Sequence, residues 1–238
     1  MRDIIITGTS LAKSAAALAL ASRLGSGVWA TAGVHPHDAS GWGASSAAEL
    51  AALAAHPKCV ALGECGLDFN RNFSTPEAQE AALRAQLAVA AALRKPLFLH
   101  CRDAADRMEA ILAEALPSLS APAVMHCFTG SAAEAARFAA MGLYVGFTGW
   151  ACDEREGRAE GLAEAIRAVP LERLLIETDA PYLVPRSIAP AKARPRRNEP
   201  SLLPHVAAAV AAARGMDIAE LAAATTANAE RVFGLGRA

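Results

Sequence analysis

The chain has 238 residues, 53% hydrophobic and 20% charged, and its 23 basic and 24 acidic residues leave a formal net charge of -1. This apolar content excludes a disordered tail and suffices for one large core. The charge balance excludes a globally basic nucleic-acid coat but not a local basic patch, and no stretch approaches the roughly 18 consecutive apolar residues of a membrane span. Sixty residues are Ala, the best helix former and a poor strand former, so many helices are expected.

Short apolar runs alternate with long Ala-rich stretches. In chain order the pattern predicts a strand over Asp3–Gly8, a helix over Ser10–Leu24, a strand over Val28–Val34, a helix over Ala44–Ala55 and a strand over Val60–Gly63. A helix over Pro76–Leu93, a strand over Pro96–Leu99, a helix over Ala104–Leu116 and a strand over Ala123–Met125 follow. The rest reads as a helix over Ala132–Met141, a strand over Leu143–Phe147, a helix over Gly157–Ala168, a strand over Leu174–Ile176, and helices near Pro200–Arg214 and Ile218–Phe233. Continuous apolar runs of this length suit strands buried on both faces. Ser131–Glu134 reads as a capping box, Thr75-Pro76 as a cap beside a first-turn Pro, and Gly142 as a helix stop. The alternation recurs about every thirty residues, the size of a βα unit. One domain over residues 1–238 is expected, either a TIM barrel lacking one strand or a doubly wound sheet; the pattern alone does not separate these.

Five Cys, an odd number with no C-x-x-C among them, argue against a disulfide framework and point to reduced thiols in the cytoplasm. The opening Met1-Arg2, Ile4–Ile6 and the later Ala19-Leu20-Ala21 mimic a signal peptide. Asp3, Lys13 and the polar Thr7–Ser10 interrupt the apolar run, so the segment reads as folded structure.

In parallel α/β folds the reactive residues lie at the carboxyl ends of strands. Here His35, Glu64, His100, His126 and the pair Glu177 and Asp179 each follow an apolar run. A lone His or Glu at a strand end is usually a packing or salt-bridge residue. Several costly polar groups on one rim need partners or a cation, and mixed imidazole and carboxylate donors suit Zn, Mn or Mg. A cation held by Glu64, His100 and His126 would activate water and polarise a phosphoryl or carbonyl oxygen, with Asp179 as the proton acceptor. Glu177 reads either as a second ligand or as a buried salt-bridge partner. Arg102 reads equally as a clamp on a scissile phosphate or as an anchor for Asp103.

These residues lie in Gly63–Phe69 (GECGLDF), His100–Ala104 (HCRDA), His126–Gly130 (HCFTG), Glu177–Leu183 (ETDAPYL) and Arg197–Pro200 (RNEP). Ala32–Asp38 (AGVHPHD), Asn70–Pro76 (NRNFSTP) and Gly149–Arg155 (GWACDER) narrow the likeness. Together, and in this order, the motifs resemble the TatD family of metal-dependent deoxyribonucleases. The resemblance implies a TIM-barrel hydrolase of the amidohydrolase type and a Mg-dependent 3′-to-5′ exonuclease of single-stranded DNA and RNA, with Mn or Zn as other candidate ions. It implies Glu64, His100 and His126 as metal ligands, Asp179 as a ligand or the base, and His35 as a phosphate or leaving-group contact. The family's first strand motif has no counterpart before Ile4, so seven barrel strands of eight are expected.

Pro185–Asn198 contains Arg186, Lys192, Arg194, Arg196 and Arg197, no acid and three Pro. It reads as a stiffened loop, either merely solvated or cradling the phosphates of a single strand. Trp42, Trp150, Phe69 and Tyr182 are assigned to packing, and His37, His56 and His205 to surface or helix positions. Cys65, Cys101 and Cys127 are expected to turn away from the metal by strand alternation. A monomer without membrane attachment is expected. The rival functions are a metal hydrolase of a small amide, ester or phosphotriester, and an inactive remnant that binds partners through exposed strand edges.

Overall fold

The computed structural model describes residues 3–153, 155 and 158–235. Met1-Arg2, Glu154 of the 149–155 motif and the expected helix start at Gly157 lie outside the described residues. The chain divides into two compact units, Met1–Val124 and Met125–Ala238.

The first unit holds β1 (Ile4–Ile6), α1 (Leu11–Leu24), β2 (Val28–Ala32), α2 (Ser46–Ala54), β3 (Cys59–Asp68), α3 (Pro76–Leu93), β4 (Leu97–Arg102) and α4 (Ala105–Ala115). Its strands follow the order β1-β2-β3-β4, each parallel to the next. All ten residues of β3 are buried, as the continuous apolar pattern requires of a strand covered on both faces. The helices start where the sequence signals them. Ser10 caps α1 by accepting the Lys13 N–H, and Thr75 caps α3 by accepting the Ala78 N–H, with Pro76 in the first turn.

β5 (Ala123–His126) begins at the end of the first unit and finishes in the second, which continues with α5 (Ala132–Ala140), β6 (Tyr144–Phe147), α6 (Arg158–Ala168), β7 (Leu174–Ile176), α7 (Leu203–Arg214) and α8 (Ile218–Phe233). The order is β5-β6-β7, and β6 and β7 are parallel. Ser131 and Glu134 form the expected capping box of α5. Asn228 of α8 is buried and donates to the carbonyls of Leu171 and Leu174, which ties that helix to the entry of β7. The expected long helix from Pro200 opens instead with a short 3-10 turn over Pro200–Leu202 before α7.

Seven strands are present among the described residues, the number expected, and the fold is α/β. Among the described residues no helix is long and apolar enough to cross a membrane.

Candidate functional site

In the first unit the donor-bearing side chains meet on β3, β4 and the turn after β2. Glu64 lies inside β3 rather than after its end, because the strand continues to Asp68. The register with β4 shifts between Gly63 and Cys65, so Glu64 occupies a bulge, a device that re-aims a side chain. The close approach of the two strands depends on Gly66. It has φ 152, and a Cβ there would sit 1.9 Å from the His100 carbonyl oxygen. His100 likewise lies within β4, which extends to Arg102.

Glu64 Oε1 lies 2.9 Å from His100 Nδ1 and 3.3 Å from His35 Nε2. The other His100 nitrogen, Nε2, is 3.4 Å from Asp68 Oδ2, and the same carboxylate oxygen is 2.8 Å from His37 Nε2. The second Asp68 oxygen accepts the backbone N–H groups of Asn70 and Arg71. Burial by itself raises the Asp68 pKa, but the His100 imidazole beside it and hydrogen bonds from the Arg71 N–H and His37 outweigh it and hold the carboxyl well below its usual range. Burial lowers the His35 pKa against the opposing pull of Glu64, which keeps the ring neutral near pH 7. His35 Nδ1 accepts the His37 N–H at 3.1 Å, so the proton of the neutral ring sits on Nε2 and makes that nitrogen a donor.

Two buried glutamines of α3 hold the backbone around these groups. Gln86 accepts the Val34 N–H at 2.8 Å and donates to the Val34 carbonyl at 3.0 Å, fixing the residue before His35. Gln79 accepts the Asp68 N–H and donates to the carbonyls of Asp68 and Ser74. They are two helical turns apart and share the buried face with Ala82, Leu83, Leu87 and Ala90.

In the second unit His126 ends β5 and is buried. Glu177, just past β7, places Oε2 2.8 Å from His126 Nδ1 and accepts the Cys127 N–H on Oε1 at 2.7 Å. A carboxylate facing Nδ1 keeps the neutral ring's proton there and leaves Nε2 as the lone-pair nitrogen. That Nε2 is 4.0 Å from Asp179 Oδ1. Gly146 of β6 makes room for the brace, since a Cβ on it would lie 2.3 Å from Glu177 Oε1. Of the two readings left open for Glu177, the geometry supports the salt-bridge partner.

The structure thus gathers His35, Glu64 and His100, whose ligand atoms lie within 4.8 Å of one another, and separately His126, Cys127 and Asp179, which meet the same limit. Cys127 differs from expectation. Its φ of 45 breaks the strand alternation that would have turned it away. Burial pushes its thiol up to about 12, so it is present as the neutral SH at pH 7, a poor ligand in that form. Arg102 makes no side-chain hydrogen bond or ion pair among the described residues, and Asp103 instead accepts from Asn70 Nδ2 at 2.7 Å. The anchoring alternative for Arg102 is therefore not what is observed. His37, read as a surface residue, and Asp68, which had no assigned part, belong to the first cluster.

The donors suit a small hard cation. The set combines carboxylate oxygen with imidazole nitrogen, a mixture that fits a divalent cation.

A family model described as TatD related DNase matches residues 1–234. The chain is 53% identical over 235 residues to the 3′-5′ ssDNA/RNA exonuclease TatD of Klebsiella pneumoniae (strain 342), covering 99% of this chain and 88% of the relative. It is 56% identical over 231 residues to the protein of the same name from Cronobacter turicensis, covering 97% and 86%. A crystal structure of a TatD homologue from Escherichia coli K12 superposes with TM-score 0.86 at 29% identity, covering 99% of this chain and 88% of that one. A TatD family hydrolase from Entamoeba histolytica does so with TM-score 0.85 at 25% identity, covering 98% and 85%. The fold class is that of these hydrolases, the TIM-barrel type named by the sequence motifs.

Proposed function

Because this chain belongs to the TatD-related DNase family, we propose that it is a metal-dependent exonuclease that degrades single-stranded DNA and RNA from the 3′ end toward the 5′ end. The observation that carries the reading is identity of 53–56% over nearly the whole chain to relatives named for that activity, in a chain that retains both donor sets. Mg2+ is the proposed ion, with Mn2+ and Zn2+ as alternatives for an imidazole-containing set. All five cysteines are free, which supports a reducing, cytoplasmic setting.

A divalent cation supplies Lewis acidity, lowering the pKa of water and polarising a phosphoryl oxygen. Glu64 and His100 would hold such an ion in the first unit, and His126 would offer its Nε2 to one in the second. Asp68 and Glu177 fix the two imidazole rings through their other nitrogens, which sets the tautomer each ring presents. Asp179 accepts the proton that water loses as its oxygen attacks phosphorus; the bond from phosphorus to the 3′ oxygen breaks, and that oxygen takes a proton from solvent to become the new 3′-hydroxyl. His35, carrying its proton on Nε2, and the guanidinium of Arg102 donate to phosphate oxygens.

The test uses single-stranded DNA labelled at either end. With Mg2+, a 3′ label is expected in mononucleotide at once and a 5′ label only at the end of digestion, with EDTA stopping both. Equal nucleotide release by wild type and His126→Ala contradicts the reading.

A further inference from the structure

The second unit carries a cavity that the proposed chemistry leaves unused. Its volume is about 370 Å³, and its wall includes Trp150, Asp153, Arg155, Arg186, Arg194 and Arg196. Asp153 is the one acid among its described lining residues, so four guanidinium groups face one carboxylate.

The wall is organised. Asp153 is 4% exposed and accepts Arg155 Nε at 2.9 Å and Nη2 at 2.7 Å, while Arg186 Nε lies 3.6 Å from it. The hydrogen bonds from Arg155, above all, hold its carboxyl far below the usual range. Asp153 therefore fixes two guanidinium groups side by side, and their side chains stay 54% and 41% exposed. Arg194 has another task, donating to the carbonyls of Ile188 and Arg186 and so bracing the loop. Arg196 is exposed and makes no hydrogen bond or ion pair among the described residues. Trp150 is half-buried on the turn after β6.

The cavity lies along the segment that follows Asp179. Asn198, buried at the end of the basic loop, donates its side-chain amide to the carbonyls of Thr178 and Leu183 and its backbone N–H to Pro181. On the other side, Gly149 packs so closely that a Cβ there would sit 2.1 Å from the Leu183 oxygen.

Several cationic forks beside an indole, in a space of nucleotide size, suit a polyanion with exposed flat faces. A duplex stacks its bases away; a single strand offers them. We propose that this cavity is a holding subsite for single-stranded nucleic acid, taking one nucleotide outside the reacting bond, with its base on Trp150 and its phosphates on Arg155, Arg186 and Arg196. The identity of the polymer rests on the exonuclease reading; the binding does not require turnover.

The experiment measures binding of a labelled oligothymidylate of about twenty nucleotides, longer than the site, in EDTA across a salt series. Arg186→Ala/Arg196→Ala is expected to weaken binding about tenfold and to flatten the slope of log K against log salt by about 1.4, at 0.7 per lost phosphate contact. Arg196→Ala alone breaks no hydrogen bond or ion pair among the described residues and is expected to flatten it by about 0.7. The double Lys variant keeps the slope. Trp150→Ala is expected to weaken oligothymidylate binding about tenfold at unchanged slope, and to leave binding of inorganic polyphosphate, which has no bases, as it was. Unchanged affinity and slope in both Ala variants, equal loss for polyphosphate and oligothymidylate in Trp150→Ala, or no strand binding by wild type each overturn the subsite. Arginine-dependent binding without nucleotide release in Mg2+ supports the subsite and overturns the exonuclease reading; release with arginine-independent binding does the reverse.

Discussion

Glu64 and His100 are carried inside paired strands, whereas His126 and Asp179 sit at or beyond the ends of theirs. The first set gets its geometry from the sheet itself: a bulge at Glu64 and a glycine at 66 that lets β3 press against β4. The second set depends on local turns, with φ of 45 at Cys127 and 53 at Asp179, and on a single carboxylate, Glu177, spanning His126 and the Cys127 N–H. His100 is flanked by carboxylates on both nitrogens. Donors inside the sheet take their backbone position from the ladder, with Asp68 adding to the hold on the His100 ring; donors at strand ends depend on Glu177 alone among these carboxylates.

The largest effect is expected from the donors themselves. Glu64→Gln keeps the shape and removes the charge, and a loss of Mg2+-dependent nucleotide release of about a thousandfold is expected, or about 4 kcal/mol at the transition state. A loss below tenfold breaks the comparison, because Glu64 would then be a structural residue.

Next come the braces. Glu177→Gln is expected to cost about 10- to 100-fold in metal affinity or kcat/KM, read by Mg2+ titration of activity. Asp68→Asn is expected to cost about tenfold or less, since the β3–β4 ladder still places His100. Equal losses remove the distinction between the two sets; a larger loss for Asp68 inverts it.

Stability separates the regions further. Gln86→Leu leaves the Val34 N–H and carbonyl without their buried partner and is expected to cost about 1–3 kcal/mol in chemical denaturation, with m unchanged. An indifferent result means that the turn after β2 is held by other contacts.

The smallest effect is a pH signature in the second unit. The folded Asp153 carboxyl is held well below the ordinary Asp value of about 3.9. Its contribution is therefore complete above that value and is lost as pH falls toward the folded pKa. Asp153→Asn is expected to cost about 1 kcal/mol from pH 5 to 8, with the gap to wild type closing below about pH 4. A gap that grows on acidification contradicts the ion pairing.

Much of this was legible in the residues. α3 and α8 run over the ranges read from cap and periodicity, and β7 matches residue for residue, because apolar runs and caps are local signals. β3 was not legible past Gly63. Residues 64–68, with a glycine, a glutamate and an aspartate among five, read as loop, and only burial between neighbouring strands makes them a strand. The donors Glu64, His100, His126 and Asp179 announced themselves by following apolar runs. His37 did not, because its part depends on Asp68 being buried 2.8 Å away, a tertiary fact. Gln79 and Gln86 did leave a signal: two amides seven residues apart on an otherwise apolar helix face are there to serve buried backbone. That Trp150 lines one cavity with Arg186 and Arg196 is likewise a tertiary fact, which sequence order does not show.

The central claim is that these side chains hold a divalent ion, and direct binding tests it without any substrate. Mn2+ added to the EDTA-treated, dialysed protein should be taken up stoichiometrically, seen as loss of the free-ion paramagnetic signal, and uptake should fall at least tenfold in Glu64→Gln and in His126→Ala. Wild type that takes up no Mn2+, or variants that bind it as tightly as wild type, would contradict the account.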